Sequence, residues 1–149
     1  MTQFFIRRTV PGDSKALAEL ETECFSRPWS EDSLIKATER EDNIYFSAVC
    51  GDRVVGYIGS YRVLGEVYIN NIAVFKDYRN KGIGKALIKA LSDYCKENSC
   101  EFCTLEVRKS NTNAISLYEK CGFVLVGERK NFYDSPTENA LLYTLFFGD

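Results

Sequence analysis

The passage from an apolar strand through a basic, glycine-containing turn into a long helix constrains this fold most. Residues 66–75 are predicted to form a strand, and its end at residues 72–74 is apolar on both faces, as in a buried strand. After the turn, apolar residues recur at helical spacing over residues 83–98. A helix N-terminus offers free backbone N–H groups, and glycine lets a ligand approach them closely. The segment is therefore predicted to bind an anion.

The residues of this turn and of the helix start exclude the two best-known phosphate-binding loops. A P-loop has four residues between its glycines, whereas one residue separates Gly82 from Gly84. The dinucleotide fingerprint requires a small residue at the position that Leu87 occupies. Arg79, Lys81 and Lys85 add positive charge nearby, which favours a phosphate site of another type over a plain surface turn.

The absence of histidine restricts the possible chemistry. It excludes Ser-His-Asp and Cys-His nucleophiles, imidazole metal ligands and a histidine base. Proton transfer must therefore use a carboxylate, tyrosine, lysine, cysteine or water. Cys100 and Cys103 form one CxxC, but no second pair exists to complete a zinc site, and no metal is expected.

Composition indicates one ordinary globular domain over residues 1–149. The chain is 45% apolar and has a net charge of −2, so neither nucleic acid nor a membrane surface is an expected partner. The sequence contains no signal-peptide or transmembrane pattern, which favours a cytoplasmic protein, and a monomer is plausible.

Strand and helix patterns alternate irregularly, as in an α/β or α+β domain. Strands are predicted at residues 4–8, 45–50, 54–64, 66–75, 102–107, 124–129 and 140–147, and helices at 14–24, 30–40, 83–98 and 113–121. Gly51 and Asp52 are expected to turn a hairpin, and Asn70-Asn71 to mark a bulge.

Several motifs together carry a family resemblance. They are Asn71-Ile72-Ala73-Val74, Arg79-x-x-Gly82-x-Gly84, Leu105-Glu106-Val107-Arg108-x-Ser110-Asn111 and Leu117-Tyr118-x-x-x-Gly122-Phe123. This set resembles the GNAT acetyltransferase superfamily. With Arg27-Pro28-Trp29-Ser30-Glu31 before it and Asn131-Phe132-Tyr133 after it, the pattern is similar to the RimI branch, the ribosomal-protein-alanine N-acetyltransferases.

The resemblance implies a GNAT fold that binds acetyl-CoA. This fold has a mixed sheet of about seven strands and about four helices, and two parallel strands, here ending near Val74 and Val107, splay apart around the pantetheine arm. The main chain of Ile72 and Val74 would bond the pantetheine amides, and residues 80–85 would hold the pyrophosphate. The implied cofactor-binding residues are Ile72, Ala73, Val74, Arg79, Asn80, Lys81, Gly82, Ile83, Gly84, Lys85 and Asn111.

Acetyl transfer from a thioester to an amine needs a base for the amine and an acid for the departing thiolate. Without histidine, Glu106 is the natural base, directly or through water, and Tyr118 can remain protonated as the acid. RimI relatives carry a base and an acid at the matching positions. Alternatively, Glu106 is an ordinary strand residue paired with Arg108, and Tyr118 is a core residue.

The acceptor is less constrained than the donor. The resemblance places Pro28 and Trp29 on one side of an acceptor groove and Tyr133 on the other, although Trp29 and Tyr133 could equally cap the core. An N-terminal α-amine of a protein, such as a ribosomal protein, is favoured as the acceptor. Its pKa of about 8 is lower than that of lysine, so a weaker base is enough to deprotonate it.

Three other functions stay open. One is acetylation of a protein lysine, and another is acetylation of a polyamine or amino sugar, which would need an acidic pocket drawn from Glu21, Glu23, Glu31 or Asp32. The third is a regulatory module that binds acyl-CoA without catalysis. A cysteine acyl-enzyme is disfavoured because no histidine could generate the thiolate.

Overall fold

The computed structural model describes residues 3–148 and shows seven strands, four α-helices and two short 3₁₀ turns. The strands are β1 (Phe5–Arg8), β2 (Asn43–Cys50), β3 (Arg53–Val63), β4 (Glu66–Val74), β5 (Phe102–Arg108), β6 (Val124–Tyr133) and β7 (Glu138–Phe146). The helices are α1 (Ser14–Cys24), α2 (Glu31–Glu39), α3 (Ile83–Glu97) and α4 (Thr112–Lys120).

All seven strands form one mixed sheet in the order β1-β2-β3-β4-β5-β7-β6. Only β4 and β5 run parallel to each other among the paired neighbours, and the other five pairs are antiparallel. The crossover between β4 and β5 contains α3, as a parallel connection requires. The predicted GNAT-type sheet with four helices is thus confirmed.

Helices cover both faces of the sheet, as two neighbouring residues of β3 demonstrate. Tyr57 reaches Glu21 of α1, whereas a Cβ on Gly56 would lie 3.3 Å from the side chain of Ile83 on α3. Because successive strand residues point to opposite faces, α1 and α3 lie on opposite sides of the sheet.

The apolar stripe of α3 forms part of the hydrophobic core. Ile83, Leu87, Leu91 and Cys95 recur at intervals of four residues and are almost completely buried. They pack on the face of the sheet that includes Ile58. Burying one such side chain contributes about 1.5–3 kcal/mol, which holds the N-terminus of α3 firmly at the end of β4.

The predicted hairpin and bulge are both present. Cys50 pairs with Arg53 across the two-residue turn. In the pairing of β3 with β4, Gly59 lies opposite Asn71 and Ser60 opposite Ile69, so Asn70 is the extra, bulged residue.

The prediction for β6 was too short. β6 continues to Tyr133, beyond the predicted end at residue 129, because Tyr133 pairs again with Glu138 after an irregular stretch. Asn131 within that stretch has φ of 53°, which is not a strand conformation. The alternation of apolar and polar residues by which a strand is predicted is therefore interrupted there. Among the described residues, no helix has both the length and the apolar character needed to cross a membrane.

Candidate active site

A gap between β4 and β5 is the main irregularity of the sheet. The two strands pair only over Glu66–Tyr68 and Phe102–Thr104. Beyond these three pairs, residues 69–74 and 105–108 have no pairing with one another. The predicted splay is therefore present, and it leaves backbone polar groups on both of its walls without sheet partners.

The strand alternation of β4 shows which groups face this gap. Phe75 donates its N–H to the Val55 carbonyl on β3 at 3.0 Å, so the main-chain groups of Phe75 point toward β3 and away from the gap. Ile72 and Val74 therefore direct their main-chain groups the other way, toward β5. The Val74 carbonyl accepts from Nε of Arg79 at 3.0 Å, which leaves the Val74 N–H and both groups of Ile72 for a ligand in the gap.

The turn after β4 presents the N-terminus of α3 without a cap. Asn80 has φ of 61° and Gly82 has φ of 84°, both in the left-handed region. Ala86 donates to the Gly82 carbonyl at 3.0 Å, so the N–H groups of residues 82–85 have no acceptor within the helix. Among the residues that the structure describes, no side chain caps this end, and the first turn contains no acid, which suits an incoming anion.

Gly84 has a packing role that the sequence did not reveal. A Cβ at Gly84 would lie 3.0 Å from Cδ2 of Leu117, so the glycine allows α4 to approach α3 closely. A groove of about 670 Å³ is lined by α3, the end of α4 and the end of β7, and its lining includes Lys85 from α3 and Lys120 from α4. Lys120, which sequence reasoning missed, adds a cation from the end of α4.

Comparison with known proteins identifies the family of this arrangement. The model of the acetyltransferase (GNAT) family matches residues 14–123, which is most of the chain and contains the gap and the turn. This chain belongs to the GNAT acetyltransferase family. Members of the family use acetyl-CoA as the acetyl donor, and the chain is an acetyl-CoA-dependent N-acetyltransferase.

Individual relatives are similar over nearly the whole GNAT domain. The ribosomal protein bS18-alanine N-acetyltransferase of Haemophilus influenzae is 34% identical over 137 residues, covering 90% of this chain and 92% of the relative. The enzyme of the same name from Escherichia coli is 32% identical, covering 89% and 90%. The crystal structure of the ribosomal-protein-alanine N-acetyltransferase from Escherichia coli superposes with a TM-score of 0.91 at 30% identity, covering 99% and 96%.

Glu106 lies on the β5 wall of the GNAT gap, two residues beyond the last residue paired with β4. Its side chain is exposed, while its neighbours Leu105 and Val107 are buried on the other face. The alternative that Glu106 pairs with Arg108 is not what the structure shows, because Arg108 binds Glu138 at 3.3 Å. Within residues 3–148, Glu106 has no ion pair or side-chain hydrogen bond.

Tyr133 lies within reach of the charge of Glu106, and Tyr118 lies near Tyr133. Tyr118, on α4, is 6% exposed, and burial with the nearby Tyr133 and Cys121 raises the pKa of its hydroxyl. Burial also raises the pKa of Tyr133 to about 12, and the charge of Glu106 adds to that rise. In the part of the chain that the structure describes, the Tyr118 hydroxyl makes no hydrogen bond, which leaves it available to a ligand.

Asn111 begins α4 directly after β5. Its side-chain oxygen accepts from the Ala114 N–H at 3.2 Å, so it caps the helix that carries Tyr118. The side-chain amide group remains available for other contacts. Asn111 therefore has a structural role besides the expected cofactor contact.

The loop between α1 and α2 and the turn between β6 and β7 meet at the surface. Arg27 in the loop pairs with Asp134 in the turn at 3.0 Å. Trp29 is 38% exposed, which argues against a core cap, and Pro28 beside it is also exposed. Tyr133, which directly precedes Asp134, is half-buried under the Arg108 guanidinium, 4.6 Å from its ring centroid.

Glu21 is a site-region residue that sequence reasoning did not place. It is completely buried on α1 and accepts hydrogen bonds from Trp29, Tyr57 and Asn71. The only sequence signal was its position beside Leu20 on the apolar side of α1. Glu23, also on α1, accepts a hydrogen bond from the Lys76 N–H at 2.8 Å. Among residues 3–148, no group of three or more potential metal ligands occurs.

Proposed function

We propose that this GNAT enzyme transfers the acetyl group of acetyl-CoA to the N-terminal α-amine of a protein, of the ribosomal-protein-alanine type. The observation that carries the proposal is the position of Glu106. An exposed carboxylate stands where β4 and β5 separate, with Tyr133 near it and Tyr118 near Tyr133. The names of the Haemophilus and Escherichia relatives support the same acceptor.

The donor side fits acetyl-CoA. The main chain of Ile72 and Val74 would bond the pantetheine, and the uncapped N-terminus of α3 would hold the pyrophosphate. The residues assigned to this side are Ile72, Ala73, Val74, Arg79, Asn80, Lys81, Gly82, Ile83, Gly84, Lys85 and Asn111. Because Arg79 already bonds Val74 and the Cys24 sulfur, we assign it to shaping the turn as well as to attracting phosphate.

Proton transfer would use Glu106 and Tyr118. Glu106, exposed at the gap, would take the proton that the attacking amine loses, directly or through a water molecule. Tyr118 would donate its hydroxyl proton to the departing thiolate, and its raised pKa keeps that proton in place at neutral pH. Both groups act in a direct ternary complex, without a covalent enzyme intermediate.

The acceptor groove would lie between the Pro28-Trp29 loop and Tyr133. A small cationic amine would require an acidic pocket, and the candidate acids do not form one. Glu21 is buried and its oxygens are occupied, and Glu23 bonds the turn after β4. Glu31 and Asp32 lie in the first turn of α2, where their negative charges interact favourably with the positive end of the helix dipole.

Acetylation of matched peptides tests the proposal. One peptide carries a free N-terminal alanine and an internal lysine, and its control has the same sequence with the N-terminus already acetylated. We expect mass spectrometry to show one acetyl group on the α-amine of the first peptide and no label on the second.

Labelling of lysine in both peptides, with no labelled α-amine, would overturn the proposed acceptor. Release of coenzyme A with spermidine or an amino sugar but with neither peptide would favour the small-amine function. Acetyl-CoA binding without thiol release from any amine would indicate a module that does not catalyse. The cytoplasmic location and the monomeric state remain predictions.

A further inference from the structure

Glu21 is a buried carboxylate that receives hydrogen bonds from three separate parts of the chain. Oε1 accepts from the Trp29 backbone N–H at 2.9 Å, in the loop between α1 and α2. Oε2 accepts from the Tyr57 hydroxyl of β3 at 2.5 Å and from the Asn71 side-chain amide of β4 at 3.0 Å. Within residues 3–148, no cation forms a salt bridge with it.

Stability alone does not explain a carboxylate at this position. Its neighbours on the buried side of α1, Leu17 and Leu20, are fully buried and apolar. Moving a charge into such surroundings is unfavourable, and well-packed apolar replacements of buried charges are often neutral or stabilising. The value of Glu21 therefore lies in what its hydrogen bonds hold in place.

Those hydrogen bonds connect the two sides of the site. Trp29 belongs to the loop assigned to the acceptor groove. Asn71 directly precedes Ile72, whose main chain is assigned to the pantetheine, and it follows the bulged Asn70. One carboxylate thus fixes the distance between the acceptor loop and the donor strand.

Tyr57, which donates to Glu21 from β3, is itself held rigidly. The Tyr57 ring stacks on Tyr45, with ring centroids 6.0 Å apart and an interplanar angle of 14°. Gly59 makes room for Tyr45, because a Cβ at that position would lie 2.7 Å from the ring. Glu21 is therefore held from the sheet side by a packed tyrosine pair, whereas the loop is held to Glu21 by a single backbone hydrogen bond.

We propose that Glu21 is a positioning residue for the acceptor, which holds the Trp29 loop against β4 so that the acceptor amine meets the acetyl group. The proposal rests on the proposed function, because it concerns binding of a peptide N-terminus. It predicts that loss of the Glu21 hydrogen bonds impairs peptide binding and leaves acetyl-CoA binding intact.

The decisive variant is Glu21→Met, which keeps the side-chain volume and should keep the fold. We expect the KM for the alanine peptide to rise about 10- to 100-fold, as displacement of a positioned group does, with the Kd for acetyl-CoA unchanged. Glu21→Gln should restore the KM to near that of the wild type, because its amide oxygen can accept from Trp29 and Asn71 can turn its own oxygen toward the new N–H group.

Fluorescence provides a readout that does not depend on activity. Trp29 is the only tryptophan of the chain, so its emission and anisotropy report on the loop directly. We expect lower anisotropy in Glu21→Met than in the wild type or Glu21→Gln. Asp13→Asn is the matched control: Asp13 is also buried near α1, but it bonds Arg7 and Ser47 and not the loop. It should lower the melting temperature and leave the KM and the anisotropy unchanged.

Two failures are distinguishable. If the wild type acetylates no α-amine, the proposed function is wrong, whatever the fluorescence shows. If the wild type acetylates the alanine peptide and Glu21→Met retains both the wild-type KM and the wild-type anisotropy, the positioning role of Glu21 is overturned and the proposed function stands. An equal change of the KM and the anisotropy in Asp13→Asn would also overturn the positioning role, since both changes would then follow from lower stability.

Discussion

The proposed donor and acceptor sides of this enzyme are built in different ways. Apart from Asn111, the proposed donor side is one continuous stretch, residues 72–85, and it offers mainly backbone groups, including an uncapped helix N-terminus. The proposed acceptor side consists of side chains and loops brought together from distant positions, as in the Arg27–Asp134 pair. A site made of backbone depends on local conformation, whereas a site made of side chains depends on the packing of the whole domain.

Loss of the proposed base should separate the two sides most clearly. We expect Glu106→Gln to lower kcat about 10³- to 10⁴-fold, because the amide cannot take the proton of the amine. The Kd for acetyl-CoA, measured by calorimetry, should not change, since the proposed role of Glu106 is to take the proton of the acceptor amine. Weakened acetyl-CoA binding would place Glu106 on the donor side and contradict its role.

Loss of the proposed acid should have the next largest effect. We expect Tyr118→Phe to lower kcat about 10²- to 10³-fold without loss of stability, because the hydroxyl makes no hydrogen bond among residues 3–148. The ordinary pKa of tyrosine is about 10, and the pKa of Tyr118 is raised above it, so in the wild type the acid stays protonated at pH 10. Stopped-flow rates should therefore show no decline below about pH 10. A decline that begins near pH 8 would assign the acid to another group.

A change in the turn should affect the donor side alone. Gly82→Ala forces a side chain into the left-handed region at a cost of about 1–2 kcal/mol, so we expect the Kd for acetyl-CoA to rise about 5- to 30-fold. Gly12→Ala is the control, because neither a positive φ nor a close neighbour opposes its Cβ. An unchanged Kd in Gly82→Ala together with a raised peptide KM would reverse the assignment of the two sides.

The surface ion pair should matter least. Arg27 and Asp134 are 71% and 60% exposed, and such pairs contribute roughly 0–1 kcal/mol. We expect Asp134→Ala to raise the peptide KM less than about fivefold, and the difference should disappear at about 0.5 M salt. Asp42→Ala, which removes the similarly exposed pair with Arg40, should leave the KM unchanged. A larger effect for Asp134 at high salt would indicate direct contact with the peptide.

This division also explains what the sequence could predict. The strand, turn and helix of the donor side were predicted because apolar periodicity and glycine spacing are local properties, and the bulge at Asn70 followed from poor strand residues. The role of Gly84 against Leu117 and the burial of Glu21 were not predictable. Both depend on contacts between residues 33 or more positions apart, which no local pattern records.

The gap between β4 and β5 has a consequence for the stability of the protein. Three residue pairs connect the half of the sheet from β1 to β4 with the half formed by β5, β7 and β6. A ligand whose amides bond both walls would act as a surrogate strand between the halves. Folding and donor binding are then thermodynamically linked: at a concentration 100 times its Kd, acetyl-CoA would stabilise the native state by about 2.7 kcal/mol. In a cell, the supply of acetyl-CoA would thus influence how long the enzyme survives as well as how fast it works.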